Sequence, residues 1–529
     1  MGRGWREEPV RPEPLPPTSS PEGRGRLRAA AARLQTLRGL RADLVAFGLG
    51  VFAALALPPV YALPVLLVSF PGLMALIDAA PGPAVAARRG WWFGFGLHLV
   101  GLYWITEAIL IEAARFWWFV PIAVPALAAT LAAFIAAAAW AARFARAGWP
   151  RALALAGAWV LADLARQFIG TGFPWNLLGS VWEFPGWPGD VFMQPAALVS
   201  VHGLTVLTVL LALTPALSWR WRGAGAALLA AWAAFGIVRL QQPLPPAPGL
   251  NVVLVQGNVA EGQKWDRALV DGIFERYLRL TLDGMARSGS GPAVVVWPET
   301  ASPFLLQQDA LARRYISEAA KGAPALVGAL RYGTDSKLRN SLFALTDSGT
   351  VAGFYDKWHL VPFGEYQPSW FPAGIQIVPG GGLAPGPGPR TLHVPGLPAI
   401  GPLICYEAIF PGQVVDEADR PAWMVNITND AWFGDSSGPR QHLAAARMRA
   451  VEEGLPLLRA ANTGITAAFD ARGHELARLE RATAGVLVVP LPAALPAPPF
   501  ARIGLEIPFL FAACVLTFGL LAGRRLRGK

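Results

Sequence analysis

Three reactive side chains stand at the ends of short apolar runs in the second half of the chain. Glu299 follows Val-Val-Val-Trp-Pro, Lys357 lies within Phe-Tyr-Asp-Lys-Trp-His, and Cys405 follows Ala-Ile-Gly-Pro-Leu-Ile. A carboxylate can take a thiol proton, the sulfur can attack a carbonyl carbon, and an ammonium can stabilise the resulting oxyanion. A lone cysteine is more often an inert packing residue. The prediction of a nucleophile therefore depends on the three residues occurring together.

Short β-rich runs and polar helices position these residues between Pro243 and Pro499. Apolar runs without polar alternation predict strands that are covered on both faces. We predict helices over Asp266–Arg287 and Arg440–Glu453. The predicted strands are Val252–Val255, Ala293–Trp297, Ala325–Leu330, Ser341–Leu345, Ala399–Ile404, Trp423–Ile427 and Val486–Val489. This alternation of strands and helices predicts a layered α/β domain over residues 242–499.

The composition is too apolar for a protein that is soluble throughout. Of the 529 residues, 54% are hydrophobic and 15% are charged, whereas soluble domains have about 25% charged residues. Two cysteines, together with Gly and Pro that follow no period, exclude a disulfide scaffold and a collagen. The net charge of +10 is concentrated at the chain ends. This distribution favours the cytoplasmic side of a membrane over nucleic-acid binding.

Eight apolar segments approach the roughly 20 residues that cross a hydrocarbon core. The first seven lie in close succession, and the eighth follows the α/β domain. We therefore predict an α-helical membrane bundle of about eight transmembrane helices. The predicted spans are 42–57, 60–79, 89–111, 117–141, 150–168, 191–216, 223–241 and 504–523.

Arginines accumulate in alternate loops between these spans, as they do on the cytoplasmic side of membrane proteins. The loops on one side of the predicted bundle carry seven arginines, namely Arg88, Arg89, Arg143, Arg146, Arg151, Arg220 and Arg222. We predict a disordered basic cytoplasmic arm over residues 1–41, the bundle over 42–241, and an extracytoplasmic domain over 242–499. Residues 500–529 then form a carboxyl-terminal transmembrane helix and a basic cytoplasmic tail.

The segments around the three reactive residues resemble a known family. Val-Val-Val-Trp-Pro-Glu299-Thr, Phe-Tyr-Asp-Lys357-Trp-His-Leu-Val-Pro-Phe-Gly-Glu365-Tyr and Leu-Ile-Cys405-Tyr-Glu407 resemble the Glu, Lys and Cys motifs of the nitrilase superfamily. Within it, motif order, spacing and membrane layout are similar to those of the apolipoprotein N-acyltransferases. The resemblance covers the chain beyond the amino-terminal arm. It implies a nitrilase-like α-β-β-α sandwich standing on the helical bundle.

The resemblance also implies a ping-pong acyl transfer at the periplasmic face of a bacterial inner membrane. Cys405 would attack a phospholipid ester, typically the sn-1 chain of phosphatidylethanolamine, and form a thioester. The free amine of a diacylglyceryl-cysteine in an apolipoprotein would then accept the acyl chain. Glu299 would be the general base and Lys357 the oxyanion donor. The expectation includes a monomer and excludes a cofactor, a metal and nucleic acid.

Four further residues match positions that the family needs for activity. Glu365 would orient Lys357, although a structural ion pair is an equal alternative. Tyr406 and Glu407 would shape the oxyanion site or support the nucleophile turn. Trp265 would bind substrate by gating lipid entry, against an equal alternative of surface packing.

Two other functions remain open on the sequence. A membrane-anchored amidase of the same superfamily would use the three residues on a small amide, although it would not need seven preceding spans. A transporter or binding scaffold with a non-catalytic outer domain predicts a missing catalytic residue, and none is missing. We assign no function to His359, because its position in the predicted strand only places it on the same side as Lys357. The other histidines show no metal-ligand spacing: His98, His202, His393, His442 and His474.

Overall fold

The computed structural model describes residues 32–111, 113–264, 266–369 and 382–522. Most of the predicted arm, residues 1–41, lies outside these ranges, as does the basic tail from residue 523. The first long helix, α1, begins at Gly39. A short helix over residues 32–36 precedes α1, so helical structure begins inside the predicted arm, and the boundary of the arm at residue 41 stays a prediction.

Long helices of the described chain coincide with the eight predicted apolar segments. Phe70, Phe93 and Trp159 pack against one another where three of these helices meet. The long helices before the α/β domain are α1 (Gly39–Ala54), α2 (Leu66–Asp78), α3 (Pro83–Gly101), α4 (Val120–Ala142), α5 (Trp149–Phe168), α6 (Ala196–Leu213) and α7 (Trp219–Gln241). The helix that follows the domain, α11 (Glu506–Leu521), packs against α5.

Three helices of the described residues are long and apolar enough to cross a membrane, namely Trp117–Ala142, Ala196–Ala216 and Trp219–Gln241. Leu63–Asp78 and Glu506–Leu521 are apolar but shorter. The remaining helices carry charged residues or fall short in length. The count of about eight crossings therefore stays a prediction.

The predicted third span, 89–111, is wrong at its carboxyl end. Helix α3 ends at Gly101, and a turn and a short helix, Ile105–Leu110, follow it. The side-chain amide of Asn176 donates a hydrogen bond of 2.9 Å to the Gly101 carbonyl. A polar side chain from a distant loop thus satisfies a helix-end carbonyl, and apolar composition alone did not reveal this stop.

Two β-sheets form the α/β domain within the described ranges. The first sheet has the order β11-β1-β2-β3-β4-β5, and the second has the order β10-β9-β8-β7-β6. The strands are β1 (Asn251–Gln256), β2 (Ala293–Val296), β3 (Ala325–Tyr332), β4 (Leu338–Leu345), β5 (Val351–Asp356), β6 (Ile400–Ile404), β7 (Trp423–Thr428), β8 (Leu457–Ala461), β9 (Thr466–Phe469), β10 (Glu475–Leu479) and β11 (Gly485–Pro490). Strands β1, β2 and β3 are parallel, and so are β6, β7 and β8.

The sheets pack face to face and are covered by helices on both outer sides. Side chains such as Leu254, Val296 and Trp423 fill the space between the sheets. Helices α8 (Val270–Arg287) and α9 (Ala310–Ala319) cover the first sheet. Helix α10 (Gly438–Glu453) covers the second sheet. The domain is thus an α-β-β-α sandwich, as expected.

All seven predicted strands and both predicted helices of the domain are present, but four strands and one helix were not predicted. These are β5, β8, β9, β10 and α9. Polar or small residues interrupt the apolar character of these segments. Strand β10, for example, lies at the sheet edge and alternates between exposed and half-buried residues.

Helix α10 joins the sandwich to the bundle. The Glu452 carboxylate accepts hydrogen bonds from the Ser200 hydroxyl at 2.7 Å and the Val201 amide at 2.8 Å. Ser200 has a φ of +62°, which interrupts α6 and exposes that amide. Arg447 forms an ion pair with Asp190. These buried contacts fix the sandwich relative to the helical bundle.

Candidate active site

The structure brings Glu299 and Lys357 into direct contact beside Cys405. The Lys357 Nζ lies 3.1 Å from Glu299 Oε1, and both side chains are buried. Burial raises the pKa of the Cys405 thiol, the nearby Glu299 carboxylate raises it further, and the nearby Lys357 ammonium opposes this. Glu299 follows β2, Lys357 follows β5 and Cys405 follows β6. Two sheets therefore supply one site, at the strand ends where we expected it.

Glu299 is held by two hydrogen-bond donors besides Lys357. Asn340 Nδ2 donates to Oε1 at 2.7 Å, and the Asn429 amide donates to Oε2 at 2.8 Å. The loop that carries Glu299 crosses β3 at Gly328, where an added Cβ would lie 2.2 Å from the Pro298 carbonyl oxygen. Only glycine permits this close approach. The carboxylate is thus fixed in place before any substrate binds.

Cys405 occupies a strained turn between β6 and a 3₁₀ turn, Cys405–Ile409. Its φ is +51°, in the left-handed region, which costs a residue other than glycine on the order of 1–3 kcal/mol. The side chain is 7% exposed. Surrounding contacts must stabilise this conformation, and strain of this kind is typical of functional sites.

Glu407 connects the Cys405 turn to strand β5, which Lys357 follows. Its Oε2 accepts a hydrogen bond of 2.6 Å from the Ile404 amide. Its Oε1 accepts hydrogen bonds from the Trp358 amide at 2.7 Å and the Tyr355 hydroxyl at 2.9 Å. Burial raises the pKa of Glu407 to about 7, although the two amides oppose this shift. Glu407 therefore links the two sheets at the site.

Glu365 and Tyr406 also lie at the site, with different contacts. The Glu365 carboxylate lies 2.9 Å from Lys357 Nζ and accepts a hydrogen bond of 2.8 Å from the Val361 amide. The Tyr406 hydroxyl donates to the Gly172 carbonyl at 3.0 Å. Tyr406 thus connects the Cys405 turn to a loop of the bundle. The remaining predicted residue, Trp265, lies outside the described residues.

The electrostatics of the site favour a thiol, a carboxylate and an ammonium at rest. Burial and the Glu299 carboxylate raise the pKa of the Cys405 thiol. Burial would raise the pKa of Glu299, but Lys357 and Lys264 lower it below its usual value. Burial would lower the pKa of Lys357, but Glu299 and Glu365 raise it well above its usual value.

A second buried lysine was not predicted as part of the site. Lys264 donates to the Glu299 backbone carbonyl at 3.2 Å and to the Thr300 hydroxyl. Burial lowers its pKa, against the opposing charges of Glu261 and Glu299. Two lysines and the carboxylates of Glu299 and Glu365 therefore share one buried region. Lys264 and Asn340 both contact Glu299. Because neither residue follows a predicted strand, the search for reactive residues at strand ends missed them.

Of the histidines, His359 does not join the site. Its Nε2 lies 2.9 Å from Gln413 Oε1 and its ring stacks on Phe410. Burial lowers its pKa to about 4. These contacts indicate that His359 is a packing residue, located two positions after Lys357.

One group of metal-ligating residue types lies close together within the described ranges. Ligand atoms of Cys405, Asp430 and His442 are within 4.8 Å of one another. Both Asp430 oxygens already interact with Arg459, His442 and Thr428. The hydrogen bonds of Asp430 therefore account for the proximity of Asp430 and His442 without a metal ligand role.

Replacing Asn340 with leucine is expected to move the acidic limb of the pH–rate profile to higher pH. The Asn340 hydrogen bond helps to lower the pKa of Glu299. Its removal raises that pKa, so the base is lost by protonation at a higher pH than in the parent. A hydrogen bond to a charged group is worth about 1.5–3 kcal/mol, which predicts a loss of at least about 10-fold in kcat/KM on the acidic limb, where the base is mostly protonated, and a rate close to the parent's where the base stays ionised. The measurement is kcat/KM as a function of pH.

Ser341→Ala is the matched control, because the Ser341 hydroxyl donates to Asp356 at 2.7 Å and does not contact Glu299. It should leave the pH profile unchanged. An unmoved acidic limb in N340L would contradict the role of Glu299 as the titrating base.

Two family models match the chain over consecutive regions. The model described as "Apolipoprotein N-acyltransferase N-terminal domain" matches residues 49–214. The model described as "Carbon-nitrogen hydrolase" matches residues 252–496. The first region contains most of the helical bundle, and the second contains the sandwich with Glu299, Lys357 and Cys405.

Two relatives align with most of the chain, and one solved structure aligns with about half of it. A mutant of the Nesterenkonia AN1 amidase from the nitrilase superfamily is 16% identical over 49% of this chain and 96% of its own, with a TM-score of 0.35. An apolipoprotein N-acyltransferase of Bradyrhizobium diazoefficiens is 39% identical over 95% of this chain and 98% of its own. One of Sinorhizobium medicae is 42% identical over 88% of this chain and 93% of its own. The chain therefore belongs to the apolipoprotein N-acyltransferase family and is an enzyme.

Proposed function

We propose that the chain transfers an acyl chain from a phospholipid to the amino-terminal amine of a diacylglyceryl-cysteine in apolipoproteins, through a thioester on Cys405. The contact of Lys357 Nζ with Glu299 Oε1 at 3.1 Å, beside the strained Cys405 turn, supports this proposal most strongly. The relatives aligned over 88% and 95% of this chain are named apolipoprotein N-acyltransferase.

In the first half-reaction, the Cys405 sulfur bonds to the ester carbonyl carbon of the phospholipid. Glu299 takes the thiol proton, and Lys357 stabilises the oxyanion. The carbon–oxygen ester bond then breaks, and the departing glycerol oxygen takes the proton from Glu299. The products are a lysophospholipid and an acyl thioester. Since the resting pKa values favour thiol and carboxylate, the proton moves only as the sulfur attacks.

In the second half-reaction, the amine nitrogen of the apolipoprotein attacks the thioester carbon. Glu299 takes a proton from that nitrogen as the carbon–sulfur bond breaks, and the proton passes to the Cys405 sulfur. Lys357 again stabilises the oxyanion. Water must be excluded between the two steps, because hydrolysis would waste the thioester. The buried position of Cys405 supports this protection.

The membrane arrangement in this proposal comprises about eight crossing helices. Helix α7 has only three buried residues, Gly225, Trp232 and Gly236, so most of its apolar surface is open to lipid. The arginine-rich loops then lie in the cytoplasm. The sandwich lies in the periplasm, on the outer side of a bacterial inner membrane. Phosphatidylethanolamine is the proposed donor, and a monomer is sufficient because one chain supplies all three catalytic residues.

The experiment that tests this function uses purified protein with a phospholipid labelled in its sn-1 chain. A synthetic diacylated lipopeptide with a free amino terminus serves as acceptor, and the same peptide with an acetylated amine is the control. We expect the label to move onto the free amine only, with one lysophospholipid released for each acyl chain transferred.

The outcomes separate the three functions. Release of labelled fatty acid without transfer would support hydrolysis, as expected of an amidase-like enzyme. Hydrolysis of a small amide with no effect on phospholipid would support the anchored amidase. No turnover of any of these substrates by folded protein would favour a non-catalytic scaffold.

A further inference from the structure

His442 lies directly beneath the nucleophile turn and contacts the Cys405 backbone. It belongs to α10 and is fully buried. Its Nε2 lies 2.9 Å from the Cys405 carbonyl oxygen. Because a carbonyl oxygen can only accept, Nε2 must carry the hydrogen and donate it.

The opposite side of the ring is held by a carboxylate. His442 Nδ1 lies 2.8 Å from Asp430 Oδ1. Burial would raise the pKa of Asp430, but Arg459 and His442 lower it to about 2. Asp430 is therefore ionised. Arg459 Nη2 also lies 3.2 Å from His442 Nδ1, so Asp430 and Arg459 together hold the Nδ1 side of the ring, and Nε2 faces the Cys405 carbonyl.

Arg459 connects Asp430 to the central strands of the second sheet. Its Nη2 donates to Asp430 Oδ2 at 2.6 Å, and its Nη1 donates to the Asn426 side chain. Asn426 lies on β7 and Arg459 on β8. Trp175 and Phe433 pack around the imidazole, with ring centroids 5.7 Å and 6.2 Å away. The ring therefore has one orientation.

The hydrogen bond from His442 depends on the conformation of Cys405. A change of Cys405 from its left-handed φ to an extended φ would rotate its carbonyl away from Nε2. The bond thus stabilises the same backbone conformation that directs the sulfur toward Glu299 and Lys357.

We propose that His442 is a positioning residue of the acyl transfer, which holds the Cys405 backbone in the conformation that presents the sulfur to Glu299 and Lys357. This inference rests on the proposed function, since it assigns a role to His442 within that site. It differs from a packing role, which would require only the volume of the ring.

Two substitutions separate the positioning role from packing. His442→Gln places an amide nitrogen near the position of Nε2 and can still donate to Cys405. His442→Asn places its nitrogen near the position of Nδ1 and can reach only Asp430. Both amides are smaller than imidazole and lose the ring, so a packing role predicts similar effects. His393→Gln is the control, because His393 is exposed and pairs with Asp419 on the surface.

The measurement is the single-turnover rate of Cys405 acylation by a labelled phospholipid, normalised to the folded fraction from thermal unfolding. We expect H442N to lower this rate on the order of 10²-fold, because small displacements of reacting groups have effects of this size. H442Q should remain within about 10-fold of the parent. The phospholipid concentration for half-saturation should not change in either variant, and H393Q should match the parent.

Equal losses in H442N and H442Q, or an H442N rate within about 2-fold of the parent, would overturn the inference. If the His442 variants do not fold, Asp430→Asn tests the inference instead, since a neutral amide interacts more weakly with His442 Nδ1 than the carboxylate does. A parent-like rate in D430N would overturn the inference.

The rate of Cys405 alkylation by iodoacetamide can be measured without any lipid. A slowed alkylation in H442N but not in H442Q, with no acylation of the parent, would refute the proposed function and still support the positioning role.

Discussion

Cys405→Ser is expected to abolish acyl transfer, with a loss of about 10⁴-fold or more in kcat/KM, the scale seen when a covalent nucleophile is removed. The serine hydroxyl is far less acidic than a thiol, and Glu299, with its lowered pKa, is too weak a base to activate it. The turnover assay is transfer of a labelled acyl chain to a diacylated lipopeptide. Because serine differs from cysteine by one atom, the protein should still fold and insert.

Cys514→Ser is the matched control for this substitution. Cys514 is the second free cysteine and lies exposed on α11, away from the sandwich. C514S should keep the parent rate. Substantial transfer by C405S would mean that another group forms the covalent intermediate, or that none forms.

Lys357→Met is expected to give the second largest effect, a loss of about 10²–10³-fold in kcat, because one oxyanion donor is removed. Methionine keeps all but the terminal atom of the side-chain length and leaves Glu299 and Glu365 buried without the cation between them. Breaking a buried ion pair by removing one partner costs about 3–5 kcal/mol of folding stability. Thermal unfolding of the variant should therefore show a clear destabilisation, and single-turnover acylation should report the loss in rate.

Lys337→Met is the control for this change, because Lys337 is exposed in the turn before β4. It should alter neither stability nor rate. Full activity in K357M, with its stability reduced as expected, would mean that Lys357 only neutralises the two carboxylates and does not stabilise the oxyanion.

The sequence predicted the three reactive residues because their positions have a simple physical signature. Glu299 and Cys405 each directly follow an apolar run that forms a buried strand. One ionisable residue at a strand end is ordinary, because side chains there no longer face the core, but three complementary residues at such ends in one domain are noticeable. Their mutual contact, by contrast, results from the pairing of two sheets, which the order of residues along the chain does not specify.

His442 illustrates what the sequence could not reveal. Helix α10 is rich in polar residues such as Arg447, Arg449 and Glu452, a composition typical of an exposed helix, yet nearly all of it is buried. Arg447 of this helix pairs with Asp190, and Glu452 accepts a hydrogen bond from Ser200; both partners lie in the bundle, more than 200 residues away along the chain. A periodic pattern reports which face of a helix is apolar, and it cannot report a polar partner from a distant loop.

Trapping the acyl chain on Cys405 is the most direct measurement of the central claim. Purified protein is incubated with a labelled phospholipid in the absence of acceptor, then digested and analysed by mass spectrometry, with and without hydroxylamine. We predict one acyl chain per molecule on the peptide that contains Cys405, removed by neutral hydroxylamine and by addition of a diacylated lipopeptide. An acyl chain on any other residue, or transfer to the lipopeptide without any labelled protein, would contradict the account.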